Sequence, residues 1–441
     1  MITICDKFRH TLNLLKFFQP ENLIKNMPQD TQNTTPSRPA WYFLPVLMGL
    51  FQSTLIAATP TFISVTGVST IEWSILVSMP TLLFLFLSPL WGKWADRLGA
   101  AYLIRFCSLG LGLSIICLAV VWWLGVEMAF VPGLWFITIA ITRIIYGLSA
   151  SGVMPLCQSL AINPPQSVAN PASTAGDQSL KKLGLVSASL SIGRMLGPLV
   201  LIIVASQVDW LLTLFSLLAI PLFIAIFRYS KQQQTKPDPK KINEQKAPLE
   251  LARIKPQLAL AFCITLFVGY LQFVLGPLFL DWLGNDKEAT FMMSVTLTIV
   301  AMTALACQLL IVKHLNWRSP FILLWLSSGM LLAALALSLS DSIYMIMGLM
   351  LPIAVVIALL TPVYTRSAMA QCESSKGQIS GKLAVCHTAG YPLGSLLAGL
   401  YYPTMPYWWL PLSAIAVVIL SVSVMILWPQ LRKAEQVTET Q

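Results

Sequence analysis

Charge is scarce in this sequence. Only 10% of its 441 residues are Asp, Glu, Lys or Arg, against 56% hydrophobic, whereas a soluble domain carries about 25% charged residues. With a mean hydropathy of +0.74, the chain cannot clothe a water-facing surface. An ordinary soluble protein is excluded, and a polytopic membrane protein remains. Histidine is scarcer still, with three residues. The eight cysteines, Cys5, Cys107, Cys117, Cys157, Cys263, Cys307, Cys372 and Cys386, show no metal-ligand pairing and lie in apolar spans or cytoplasmic segments. Neither a metal site nor a disulfide framework is expected. The sequence also lacks a nucleophile–base pair, a phosphate-binding glycine loop and a soluble sensor domain. It is read as a non-enzyme without cofactor, a membrane receptor or enzyme being a remote alternative. The start has no apolar h-region and no small-residue cleavage site. Residues 1–40 therefore read as a cytoplasmic tail, with a weakly amphipathic basic segment from Lys7 to Phe18 and an alternative start at Met27.

What the chain has is apolar runs near 20 residues, the length that crosses a hydrocarbon core of about 30 Å. Six fall near 41–65, 71–90, 101–124, 131–158, 183–205 and 210–227, and six near 257–280, 289–312, 320–339, 343–364, 380–402 and 408–428. The fold expected is all-α, twelve transmembrane helices arranged as two pseudo-symmetric six-helix bundles, 41–227 and 257–428. A polar linker, 228–256, joins them, and a short cytoplasmic tail, 429–441, follows. Of the 28 Lys and Arg residues, 25 fall on one side of these spans and Lys287 alone on the other, with Arg143 and Arg194 inside spans. The positive-inside rule then makes both termini cytoplasmic. Glu72, Glu127, Asp209, Asp281, Asp286, Glu288 and Asp341 all fall on the outer side. The net charge of +10 is thus topology rather than a nucleic-acid footprint.

One design occurs twice. In Gly184–Pro198, GLVSASLSIGRMLGP, the residues Ser189, Gly193 and Gly197 recur every four positions, making a flat strip on which a neighbouring helix can lie close. The stretch GKLAVCHTAGYPLGS repeats it 197 residues later, with Gly390 and Gly394 in the places of Gly193 and Gly197. Gly49-Leu-Phe-Gln52 is likewise echoed by Gly269-Tyr-Leu-Gln272. Two related halves are a common transporter arrangement.

Three stretches carry a family resemblance. The loop Gly92-Lys-Trp-Ala-Asp96-Arg97-Leu-Gly99, the run Arg143-Ile-Ile-Tyr146-Gly147, and Gly193-x-x-x-Gly197-Pro198 resemble, in order and on the matching spans, the motifs of the major facilitator superfamily. They resemble in particular those of its twelve-span drug:proton antiporter branch. The resemblance implies that Asp96 and Arg97, with Gly92 and Gly99 in the tight turn, form part of an inner-side latch. It links Arg143 to proton transfer and substrate binding, and Gly193, Gly197 and Pro198 to export. The chain departs from the pattern at Ala100-Ala101, where basic residues are usual, at Tyr146, which replaces an amide, and after Pro198, where a glycine pair is missing.

An arginine at mid-membrane costs roughly 2.5–3.5 kcal/mol on insertion scales, which makes Arg143 and Arg194 functional candidates. No carboxylate lies deep in a span to pair with them. Either they hydrogen-bond helix carbonyls or reach Glu72 or Asp281, or an anion completes the site, since the guanidinium fork matches carboxylate, sulfonate and phosphate. His387, the one histidine in a span, is a packed neutral side chain or a proton carrier. Gln52 and Gln272 either line a cavity or join helices.

The expected protein is a multi-pass inner (plasma) membrane exporter acting by alternating access as a monomer. Its cargo would be a small polar anion such as a carboxylate siderophore, protons being a further partner. A multidrug:proton antiporter and an organic-anion/proton symporter working as an importer are the alternatives.

Overall fold

The computed structural model describes residues 40–162, 175–204, 207–232, 251–311, 321–371 and 376–439. The Lys7–Phe18 segment, Cys5, Cys372 and most of the expected linker lie outside them. Among the described residues the chain is helical throughout, without strands. The helices are α1 (Phe43–Ala57), α2 (Thr59–Thr66), α3 (Thr70–Leu98), α4 (Ala100–Glu127), α5 (Pro132–Ala150), α6 (Val153–Ile162) and α7 (Ala175–Ile203). They continue as α8 (Val208–Gln232), α9 (Leu251–Leu283), α10 (Asp286–Ala306), α11 (Ile322–Ala336), α12 (Ile343–Ala370), α13 (Lys376–Tyr401) and α14 (Leu410–Glu439). Eleven stretches are long and apolar enough to cross a membrane, α5 and α6 counting as one, and α1 with α2 makes twelve. Large apolar side chains face outward along them, Trp325 at 77% and Ile203 at 72% exposure, as lipid contact requires.

Besides the turn at Ser151-Gly152 between α5 and α6 and the 3-10 turn Leu337–Leu339, the structure departs from uniform spans in two places. The first span breaks by 60° between α1 and α2. Hydropathy runs straight through, but Pro60 at the start of α2 removes a backbone donor and crowds the carbonyl four residues back. The eighth span ends in a π-turn, Cys307–Ile311. Elsewhere short turns end the helices by rule. Gly67 and Gly284 take left-handed φ of 63° and 64°, a conformation that suits glycine. Ser69 and Glu72 form a capping box on α3, and Asn285 caps α10. These turns lie at one end of the bundle, called here the Gly67 end; Gly99 turns the chain at the other.

The glycine strips do what their spacing suggests. An added Cβ on Gly193 would collide with the Val46 carbonyl, and one on Gly197 with the Leu50 carbonyl, so α7 lies backbone to backbone on α1. Gly390 and Gly394 meet the Phe262 and Leu266 carbonyls in the same way, seating α13 on α9. Val46 and Phe262 are 216 positions apart, whereas Gly49 and Gly269 are 220 apart. The GLFQ and GYLQ echo is therefore one helical turn out of register with the packing. Gly49 faces Leu190, and Gly269 faces Tyr391.

Contacts between the first and last six spans gather at the Gly67 end. Thr61 Oγ1 lies 2.8 Å from Thr290 Oγ1, which also accepts from the Thr61 amide at 3.2 Å. Ser78 Oγ donates to the Pro392 carbonyl at 3.0 Å. Gly399 lies against Ser74 and Gly276 against Thr59. Small residues let the helices meet there, and hydroxyls, not ions, join them.

Candidate functional site

Arg143 projects from the middle of α5 and is buried, at 4% exposure. Its Nε donates to the Leu76 carbonyl of α3 at 3.2 Å. Its guanidinium carbon stands 4.8 Å from the Tyr146 ring centre and 6.0 Å from that of Phe51. Such stacking favours a cation, the more so away from water. Nη1 is buried without a hydrogen-bond partner. An orphaned charged donor inside a membrane span is expensive. Of the two roles open to this arginine, carbonyl binding accounts for one nitrogen only.

Tyr146, one turn from Arg143's position on α5, donates to the Met48 carbonyl at 3.4 Å. Gly147 lets α5 close on α3, where a Cβ would stand 3.1 Å from the Pro80 Cα. One turn beyond Met48 on α1, Gln52 donates Nε2 to Thr81 Oγ1 at 3.5 Å, and its Oε1 is buried and unpartnered. An orphan acceptor and an orphan donor thus occur in the same group of helices, α1, α3 and α5.

Arg194 is exposed although it lies mid-span on α7. Its helix face also carries exposed Ser187 and Ser191, so this stripe is polar where lipid would require apolar residues. The Arg194 backbone amide faces Gly49 of α1, three residues before Gln52. Neither arginine has an acidic partner among the described residues; Glu72 is engaged with Ser69 and Asp281 with Tyr402.

On the facing side, the Tyr391 hydroxyl donates to Gln272 Oε1 at 2.8 Å. The Tyr364 hydroxyl and His387 Nε2 lie 2.5 Å apart, joining α12 to α13. Tyr391 and Tyr364 were not singled out from sequence, where a tyrosine in an apolar span reads as packing. The signal available was spacing: His387 and Tyr391 are four apart and share a face.

The structure thus groups Gln52, Arg143 and Tyr146 across α1, α3 and α5, with Arg194 of α7 set against α1. Tyr391 and Gln272 pair across α13 and α9, α13 meets α3 where Ser78 bonds the Pro392 carbonyl, and His387 lies one turn of α13 from Tyr391. It does not bring the loop residues there. Gly92, Asp96 and Arg97 end α3 and Gly99 follows, far along the helix from Thr81; Asp96 and Arg97 are exposed and make no ion pair among the described residues. Gly193, Gly197, Gly390 and Gly394 serve helix contact, and Pro198 is buried beside Gly197. Among the described residues no cluster of His, Cys, Asp or Glu could hold a metal.

A bundle of eleven or twelve membrane-crossing helices with arginines and amides at mid-depth is the architecture of a secondary transporter. The chain belongs to the Major Facilitator Superfamily, whose model matches residues 41–395. It is therefore a multi-pass membrane transporter of small molecules and not an enzyme. No curated protein matches it. Among solved structures it is similar to the nucleoside transporter NupG, at 12% identity and TM-score 0.65, covering 88% of this chain and 98% of the other. The peptide transporter POT in complex with sulfate matches at 14% identity and TM-score 0.64, covering 89% and 94%. The human organic anion transporter MFSD10 matches at 15% identity and TM-score 0.57, covering 90% and 99%. At these identities the likeness is one of fold.

Proposed function

We propose that this transporter exports a small organic anion by alternating access, its two six-helix halves, 41–227 and 257–428, rocking about the level of Arg143 and Arg194. The observation that carries the reading is the orphaned Nη1 of buried Arg143, with Arg194 exposed nearby and no carboxylate to neutralise either among the described residues. A ligand carboxylate, phosphate or sulfonate supplies the missing acceptor. Carboxylate-rich chelators of the siderophore kind are one class with this chemistry. Sulfate bound to POT and the organic anions of MFSD10 are compatible with it.

Direction rests on charge. The distribution of Lys and Arg supports cytoplasmic termini in a plasma membrane. The Gly67 end is then the outer one, and the seam there supports an inward-facing state with the Asp96–Arg97 loop disengaged. For an anion leaving a cell that is negative inside, the potential contributes about 2.3 kcal/mol per charge per 100 mV, so export needs little proton exchange. The His387–Tyr364 pair favours a second reading, proton-coupled uptake of the same anion, because a protonated imidazole near the site strengthens anion binding.

Metabolite profiling of cells with and without the gene, in iron-poor and iron-rich medium, tests the proposal. An anion retained inside the mutant and missing from its medium supports export. An anion left unused in the medium, whose uptake collapses with a protonophore, supports the second reading. Proton release from reconstituted vesicles on adding cationic dyes would overturn both in favour of drug:proton antiport.

A further inference from the structure

All the charge at mid-depth belongs to the first six spans. Arg143 and Arg194 lie there, whereas every Asp, Glu, Lys and Arg of α9–α13 lies within two turns of a helix end, and Leu410–Trp428 of α14 carries none. What the last six spans present beside α3, where Ser78 bonds the Pro392 carbonyl next to Tyr391, is uncharged and held in place. Tyr391 is fixed at its backbone, because its carbonyl lies against Gly269. It is fixed at its tip as well, because its hydroxyl donates to Gln272 Oε1. That bond uses the amide oxygen and turns the Gln272 NH2 into a donor free for other partners, while the phenol oxygen keeps its lone pairs. Ser395, one turn further along α13, bonds the Gly269 and Tyr391 carbonyls at 3.2 Å and 3.3 Å and ties the same junction together. His387 can add positive charge to this face and cannot add negative charge.

We infer that Tyr391 and Gln272 form a second pole of the substrate site, which reads the uncharged, hydrogen-bonding end of a ligand whose anionic end lies on Arg143 and Arg194. The substrate class is a one-ended organic anion bearing hydroxyl, carbonyl or amide groups away from its charge. Zwitterions are rejected, because an ammonium group at the far end meets no carboxylate, and a desolvated unpaired charge is costly. The inference rests on the anion reading of the arginines.

Three matched probes separate the two: hexanoate, 6-hydroxyhexanoate and 6-aminohexanoate, each assayed by thermal stabilisation of the purified full-length protein. The wild type is expected to be stabilised by the first two, with 6-hydroxyhexanoate binding 5-fold or more tighter than hexanoate, and not by the third. Tyr391→Phe should remove the preference for the hydroxyl and leave hexanoate unchanged. Gln272→Glu places a carboxylate at the far pole and should bring 6-aminohexanoate into the bound set. Arg194→Gln should weaken all anionic probes alike. If Arg194→Gln has no effect, or none of the probes stabilises the wild type, the anion reading fails. If Arg194→Gln weakens binding while Tyr391→Phe and Gln272→Glu leave the order of the three probes unchanged, the second pole alone is overturned.

Discussion

Gly394→Ala is the sharpest test of how the bundle is held together. At Gly394 an added methyl group would stand 2.7 Å from the Tyr270 amide nitrogen and 2.9 Å from the Leu266 carbonyl carbon, and closer still to the Leu266 oxygen. These are backbone atoms of α9 and cannot turn aside as a side-chain tip can. Ordinary contact lies near 3.5–4.0 Å between carbons, so α13 must withdraw by about 1 Å along this strip. Overpacking of this sort costs typically about 1–3 kcal/mol. The same substitution at Gly381, earlier on the same helix, meets nothing within 4 Å. There alanine should be neutral, or stabilising by up to about 1 kcal/mol through helix propensity. The measurement is thermal unfolding of detergent-purified protein followed by intrinsic fluorescence. Gly394→Ala should unfold several degrees below wild type and Gly381→Ala at or above it. Equal midpoints for the two variants would refute the claim that backbone contact through the glycine strip seats α13 on α9.

Other outcomes follow from the site and the seam. Arg143→Lys keeps the charge but loses the planar stack on Tyr146 and the bond to Leu76; anion affinity should fall about 10-fold, equivalent to about 1.4 kcal/mol, and an unchanged affinity in a binding titration would remove Arg143 from the site. Cysteines at both Thr61 and Thr290, whose hydroxyls are 2.8 Å apart, should cross-link under oxidation, halting transport until a reductant is added; wild type under the same oxidant is the control. Tyr402, just past α13, is held protonated beyond the ordinary tyrosine range by burial and by its bond to Asp281 at 2.5 Å. A folded-state value raised above the unfolded one, about 10, gives stability that is complete below pH 10 and declines as pH rises through the folded value. Tyr402→Phe should therefore flatten the alkaline fall in unfolding temperature and leave the profile between pH 6 and 9 unaltered in shape.

The spans were legible because crossing a bilayer demands long apolar runs, and their ends because Gly, Ser and Asn turn and cap helices in recognisable ways. Pro60 was equally visible, but hydropathy does not register a bend, so the break in the first span was missed. Arg143 and Arg194 announced themselves by the cost of charge in lipid. Their different settings, one sealed under aromatic rings and the other exposed, depend on which helix lies opposite and could not be read from either span alone. Gln52 and Gln272 looked equivalent because four-letter echoes align in sequence by identity. Helices align by contact, and there they differ by a turn. Of the adjacent tryptophans Trp122 and Trp123, the first is buried and donates to Asp209 while the second is exposed, a division that depends on which helix lies opposite.

The hydroxyl seam at the Gly67 end bears on the speed of the transport cycle. A serine or threonine in a helix that loses its partner across an interface can turn back to a carbonyl three or four residues earlier in its own helix, as Thr66 and Ser294 already do. Separation of Thr61 from Thr290, or of Ser78 from Pro392, therefore strands no side-chain hydroxyl. An ion pair in the same place would leave two charges in need of new partners. The two states that this seam distinguishes can thus lie close in free energy whether or not cargo is aboard. The empty carrier is then as free to reset as the loaded one is to deliver, and its turnover should be nearly indifferent to salt on the side toward which the seam opens.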